Sequence, residues 1–187
     1  MTTKTIFQIF KRWLPLAIAT AGLCALVYLT VQQSLRMGAN DPQIQMAEDA
    51  ASNLTGDASV ESVVPSTKVE IANSLAPFVI VFDDSGNVLA SSATLHGAVP
   101  VYPSGVLDYT RQKGQDRVTW QPEVGVRMAT VVVRYKNGFV MAGRSLREIE
   151  IRESNTERIS GMAMLAIWVV TLAVIALGEW IGPKKIA

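Results

Sequence analysis

Two arginines and two alanines share one face of a short sheet in the stretch "VRMATVVVRYKNGFVMAGR". Val126–Tyr135 and Phe139–Arg144 have the composition of strands, and Asn137-Gly138 between them is a strong hairpin signal. A two-residue turn there places Tyr135 opposite Val140, Val133 opposite Ala142 and Val131 opposite Arg144. One face then carries Arg127, Ala129, Val131, Val133, Val140, Ala142 and Arg144. The other carries Met128, Thr130, Val132, Arg134, Phe139, Met141 and Gly143. The alanines leave space, and a guanidinium grips a carboxylate through paired donors. That chemistry suits a small anionic or amphipathic ligand. The segment Ala93–Pro103 and the helix after it would roof the face with His96, Tyr102 and Tyr109, and Trp120 would come from a neighbouring strand. A second arrangement uses the same residues without a ligand: the alanines accept a packed helix, and the arginines pair with Glu148, Glu150 or Asp108.

Other chemistries find less support. His96 is the only histidine and Cys24 the only cysteine, so no zinc cluster and no intrachain disulfide are expected. Leu23 before Cys24 also argues against lipidation of that thiol. Asp83-Asp84 fits a turn better than a cation site. Ser91-Ser92 lacks a nucleophile elbow, and no glycine-rich phosphate loop occurs. Asn53-Leu54-Thr55 matches a glycosylation sequon, relevant only in a eukaryotic secretory setting. The expectation is a protein without catalytic activity or cofactor. A net charge of +1 over 187 residues provides no basic excess for nucleic acid, and a 49% apolar composition excludes a disordered polyelectrolyte.

The elements that must position these side chains follow from punctuation and periodicity. Asp41 and Pro42 open a helix after a break at Asn40, with Ile44, Ala47, Ala51 and Leu54 on one face and Gly56 at its end. Asp57–Pro65 is expected as a loop. Ser66 is expected to cap a second helix, with Val69, Ala72 and Leu75 on one face and Pro77 ending it. "PFVIVFDDSGNVLASS" is a hairpin, Phe78–Phe82 and Val88–Ser91. Ala93–Pro103 is irregular, Ser104 caps a short helix that Gly114 stops, and Arg117–Gln121 precedes the two strands already described. From Leu146 the chain turns helical without Pro or Gly into an apolar run. Its Leu146, Ile149 and Ile159 are too sparse for an autonomous coiled coil, though a helical lever is compatible.

Two uncharged runs, Trp13–Val31 and Ile159–Leu177, are long enough for a hydrocarbon core of about 30 Å at about 1.5 Å per residue. Flanking Lys4, Lys11, Arg12, Lys184 and Lys185 predict both ends on the cytoplasmic side of a plasma (inner) membrane. The first run exceeds a signal-peptide core, which favours an uncleaved span. Ala17, Ala21 and Ala25 form a small-residue stripe that would let helices approach closely. The organisation expected is a cytoplasmic tail 1–12, spans 13–31 and 159–178, an exported region 32–158, and a cytoplasmic tail 179–187.

The order helix, helix, strand, strand, helix, strand, strand, strand, helix, with the Asp-x-x-Gly hairpin turn and a helical crossover, resembles the PAS-like fold. Between two membrane helices it is similar to the extracytoplasmic Cache (PDC) sensor domains of bacterial receptors, over about Asp41–Arg158. The resemblance implies an α+β domain with a five-stranded antiparallel sheet and a long N-terminal helix. It also implies ligand-driven signal transduction through the terminal helices. Gly182–Ala187 leaves no room for an effector module, so the expected output is through a partner, a second copy in a homodimer or another membrane protein. The competing expectation is a scaffold or assembly subunit of an envelope membrane complex that binds no metabolite.

Overall fold

A computed structural model describes residues 3–38 and 41–181; Asn40, Lys184, Lys185 and the Lys4 side chain, used above, lie outside the described residues. The chain divides into two compact units, Met1–Ser34 with Arg152–Ala187, and Leu35–Ile151.

The second unit is an α+β fold. Helix α2 (Asp41–Thr55) and the single turn α3 (Val60–Val63) precede strands β1 (Val69–Glu70), β2 (Phe78–Asp83), β3 (Val88–Ser91) and β4 (Ala93–Thr94). Helix α4 (Ser104–Lys113) then crosses to β5 (Gln115–Glu123), β6 (Val126–Tyr135) and β7 (Gly138–Ser145). The main sheet has five antiparallel strands in the order β3-β2-β7-β6-β5. Its interior strand β2, "FVIVFD", is a continuous apolar run because both faces of the sheet are covered. On one face Phe78, Ile80, Phe82, Met128, Phe139 and Met141 pack with Ile71, Tyr102, Leu107 and Trp120. On the other, Val79, Val81, Val131, Val140 and Ala142 pack against Ala47, Ala50, Ala51 and Leu54 of α2. Alanine on the helix and Ala142 on the sheet permit that close approach. Gly143 is needed for a different reason: a Cβ there would overlap the Phe78 ring.

Several expectations change. The helix expected over Thr67–Ala76 does not form. Val69 and Ile71 are buried at a spacing of two while Leu75 is exposed, so β-branched alternation prevails. Val69–Glu70 instead pairs in parallel with Ala93–Thr94. The Asp57–Pro65 loop contains the α3 turn. Ser104 is the first residue of α4, with Pro103 at the cap position and no side-chain cap bond. Gly114, with φ of 84°, ends that helix as expected.

The last hairpin turns at Lys136-Asn137, one residue earlier than expected. Gly138 lies inside β7 beside β2, where a Cβ would fall on the Phe82 carbonyl oxygen. Tyr135 therefore faces Gly138, Val133 faces Val140, Val131 faces Ala142 and Ala129 faces Arg144. The register is shifted by two residues relative to the expectation. Because the pleat has a period of two, the partition of side chains between faces survives.

The first unit is a pair of long apolar helices packed together, from α1 (Thr3–Gly38) and α5 (Arg147–Ile181). Both are long and apolar enough to cross a membrane. They run antiparallel: Arg12 forms an ion pair with Glu179, and further along α1 the Ala17 carbonyl accepts a hydrogen bond from Trp168 Nε1 (3.2 Å). Trp13 Nε1 in turn donates to Trp168 O (3.2 Å) and Thr171 Oγ1 (3.1 Å), and the two indoles meet edge to face at 5.8 Å. Of the small-residue stripe, Ala17 is buried, Ala21 is half-buried and Ala25 is exposed. Its first member thus packs against Trp168 of the same chain.

Candidate functional site

The six residues singled out for ligand contact do not share one site. Arg127 and Arg144 lie on the sheet face that α2 covers, at exposed positions near the sheet's end. Tyr102 and Trp120 are buried on the opposite face. His96 is exposed in the segment after β4, and Tyr109 is half exposed on α4. The five-stranded sheet stands between the arginine pair and the Tyr102–Trp120 pair.

Arg127 serves a different contact. Its Nη1 is 2.5 Å from Glu150 Oε1 in the first turns of α5, and its carbonyl accepts the Leu146 amide at 2.9 Å. Arg147, not singled out in the sequence, donates from Nη2 to Ala72 O at 2.5 Å and from Nη1 to Asn73 O at 3.4 Å. The first turns of α5 are thus held to β6 by one arginine and to the turn after β1 by another. A single residue, Leu146, separates β7 from α5. In the sequence Arg147 looked like one charge among many in "LREIEIRE". Its role depends on the bend at Ala72-Asn73, which a helix there would have removed.

Tyr102 and Trp120 meet edge to face, with ring centroids 5.1 Å apart. The Thr130 hydroxyl donates to Val118 O at 3.0 Å, leaving its lone pair for the Tyr102 phenol at 2.9 Å. Burial pushes the Tyr102 pKa up to about 12, so the ring stays neutral. Beside this pair is a groove of about 280 Å³ between α4 and the edge strand β5. Tyr102, Pro103 and Val106 line one wall, and Val118, Thr119, Trp120 and Gln121 the other.

The segment that carries Tyr102 is fastened upstream. His96 has φ of 53°, the left-handed region, and its amide and that of Gly97 donate to the two Glu70 oxygens at 2.9 and 3.3 Å. Those amide bonds, led by His96, hold the Glu70 carboxyl below its usual range. His96 Nε2 lies 2.8 Å from Glu123 Oε2 on β5; the hydrogen bond and the charge of Glu123 raise the imidazole pKa. Glu70 was hidden in the sequence by the helix expected there, and Glu123 by its place at a strand end. Among the described residues no group of three His, Cys, Asp or Glu side chains could hold a metal ion.

This arrangement defines the class: an α+β domain with a five-stranded antiparallel sheet in a chain that has two apolar terminal helices of membrane-spanning length. Comparison with family models, curated proteins and solved structures found no match.

Proposed function

We propose that this chain is a two-span plasma-membrane protein whose PAS-like (Cache) domain lies outside the cytoplasm, binds a small molecule and signals through a partner. The partner is a second copy or another membrane protein. The observation that carries this reading is α5. It is one helix from Arg147 to Ile181, and its first turns are clamped to the sheet by Arg127–Glu150 and by Arg147 on the Ala72 and Asn73 carbonyls. Trp120 pairs with Met128, one residue from Arg127, so a change at the groove reaches the clamp through two adjacent strand positions. The hairpin, helical crossover and three-strand meander support the PAS-like resemblance. Basic residues flanking the spans support cytoplasmic termini, with reporters at residue 187 and in 57–65 as the test.

Sensing is tested on the full-length protein in detergent, with a thermal-unfolding screen of carboxylates, amino acids and nucleobases. A ligand at 100 times its Kd adds about 2.7 kcal/mol. A spin label at Gly178→Cys, with Cys24→Ser, should change mobility on ligand addition. Arg127→Ala with Arg147→Ala should remove that response and leave binding intact. A label insensitive to every stabilising compound would overturn transmission through α5.

A second reading is an assembly subunit that holds another envelope protein, with the exposed Val124 (95%) as the position at which to test for a partner. A photo-crosslinker at Val124 that captures one membrane protein, with no compound stabilising the chain, would select it.

A further inference from the structure

We infer that the groove between α4 and β5 is a binding site for a small, uncharged, planar aromatic molecule of one or two rings. This deepens the ligand-binding reading and rests on it. Size sets the first limit: an apolar cavity of about 150 Å³ accepts benzene, and ligand pockets commonly start near about 300 Å³. The 280 Å³ here suits a monocyclic or bicyclic ring.

Charge sets the second limit. None of the seven lining residues carries a charge at neutral pH. An ionised ligand entering the groove would lose water and gain no counter-charge from its walls. The arginines that would have recognised an anion are on the other face of the sheet, with Arg127 paired to Glu150. Shape sets the third. The Tyr102 and Trp120 rings already meet edge to face, and Tyr102 is fixed through Thr130 to the β5 backbone. A planar ring therefore meets a wall that needs little ordering on binding. Along β5 the pleat directs Val118 and Trp120 to the α4 side and Thr119 and Gln121 to the other, so the side chains that meet the ligand are apolar and aromatic.

The test uses the full-length protein in detergent with indole and indole-3-carboxylate as probes, read by calorimetry and thermal unfolding. Saturable indole binding is expected, with the carboxylate at least tenfold weaker. Val106→Trp fills the groove and should abolish indole binding, which also separates binding from partition into the micelle. Indole binding that is unsaturable, or equal in wild type and Val106→Trp, overturns the inference, as does carboxylate binding to the wild type as tight as that of indole. A charged compound that stabilises wild type and Val106→Trp alike would sink the groove while sparing the sensory reading. Groove binding without a spin-label response would sink transmission alone.

Discussion

Phe139 in the α+β unit is 0% exposed, whereas Ile18 and Val169 in the helix pair leave 64% and 67% of their surface uncovered. The domain turns large apolar side chains inward from both sheet faces and meets solvent with ion pairs such as Arg111–Asp108. The helix pair turns its large aliphatics outward. Its helices meet through Ala17, two indole N–H groups, Thr171 and the Arg12–Glu179 pair. Equally apolar sequence has been sorted in opposite directions. In water, removal of apolar area drives packing; in hydrocarbon that drive vanishes between helices, and close approach and hydrogen bonds take its place. The outward aliphatics therefore support a lipid surround for this unit.

The widest separation between the two regimes should appear with a single truncation. Phe139→Ala removes a fully buried ring from the centre of the sheet and should cost about 3–5 kcal/mol, seen as a large fall in the unfolding temperature of the α+β unit. The equivalent change at Ile18 should leave that temperature unaltered. Comparable losses from both would mean that the helix pair is held by the same burial as the domain.

Next in size is the clamp on α5. Arg147→Ala removes donors to two carbonyls at an exposed site and should cost about 1 kcal/mol. The loss should be local, as faster amide exchange at Glu148–Ile151 and an unchanged rate in β6. Exchange that rises uniformly would show that the arginine supports the whole fold and not the helix start.

Smaller again is the interhelical indole bond. Trp168→Phe keeps a ring but deletes the donor to the Ala17 carbonyl. Hydrogen bonds between membrane helices average about 0.6 kcal/mol, so association of the pair in bicelles should weaken by about that much. A loss of several kcal/mol would indicate that aromatic packing, and not the donor, joins the helices.

Much of this contrast was legible in the sequence, for identifiable reasons. The spans, α2 and the main strands announce themselves by composition and period over many residues. The side-chain faces of β6 and β7 were legible even though the register was two residues off, because parity alone decides the face. The β1 pairing was not legible. Two residues make too short a pattern to outweigh a three-residue repeat of Val69, Ala72 and Leu75, and the deciding partner, Ala93–Thr94, is distant in sequence. The candidate site residues were dispersed for a related reason. Arg127 and Trp120 stand on adjacent strands, but opposite parity sends them to different faces. The residue that Arg127 meets was among the three acids named for it; nothing local in the sequence distinguishes Glu150 from Glu148 or Asp108.

The smallest effect separates two sides of a single segment. His96 has its pKa raised from 6.5 by Glu123, so its stabilising contribution is complete below that value and fades as pH rises through the folded-state pKa. Glu70 has its pKa lowered from 4.5 by the His96 amide, so its contribution is complete above that value and fades as pH falls through the folded-state pKa. Both contributions are complete together between about pH 4.5 and 6.5, the two ordinary values. Amide exchange at Leu95 and Ala98, whose backbones bond to each other, should be slowest in that window once intrinsic rates are removed. Glu123→Gln should remove most of the acceleration on the alkaline side, where Glu70 keeps only a weaker pull on the imidazole, and leave the acid side nearly unchanged, because Glu70 is held chiefly by backbone amides. If Glu123→Gln flattened both sides, the two carboxylates would be acting as one charge cluster, and the segment over the groove would have one fastening where the geometry gives it two.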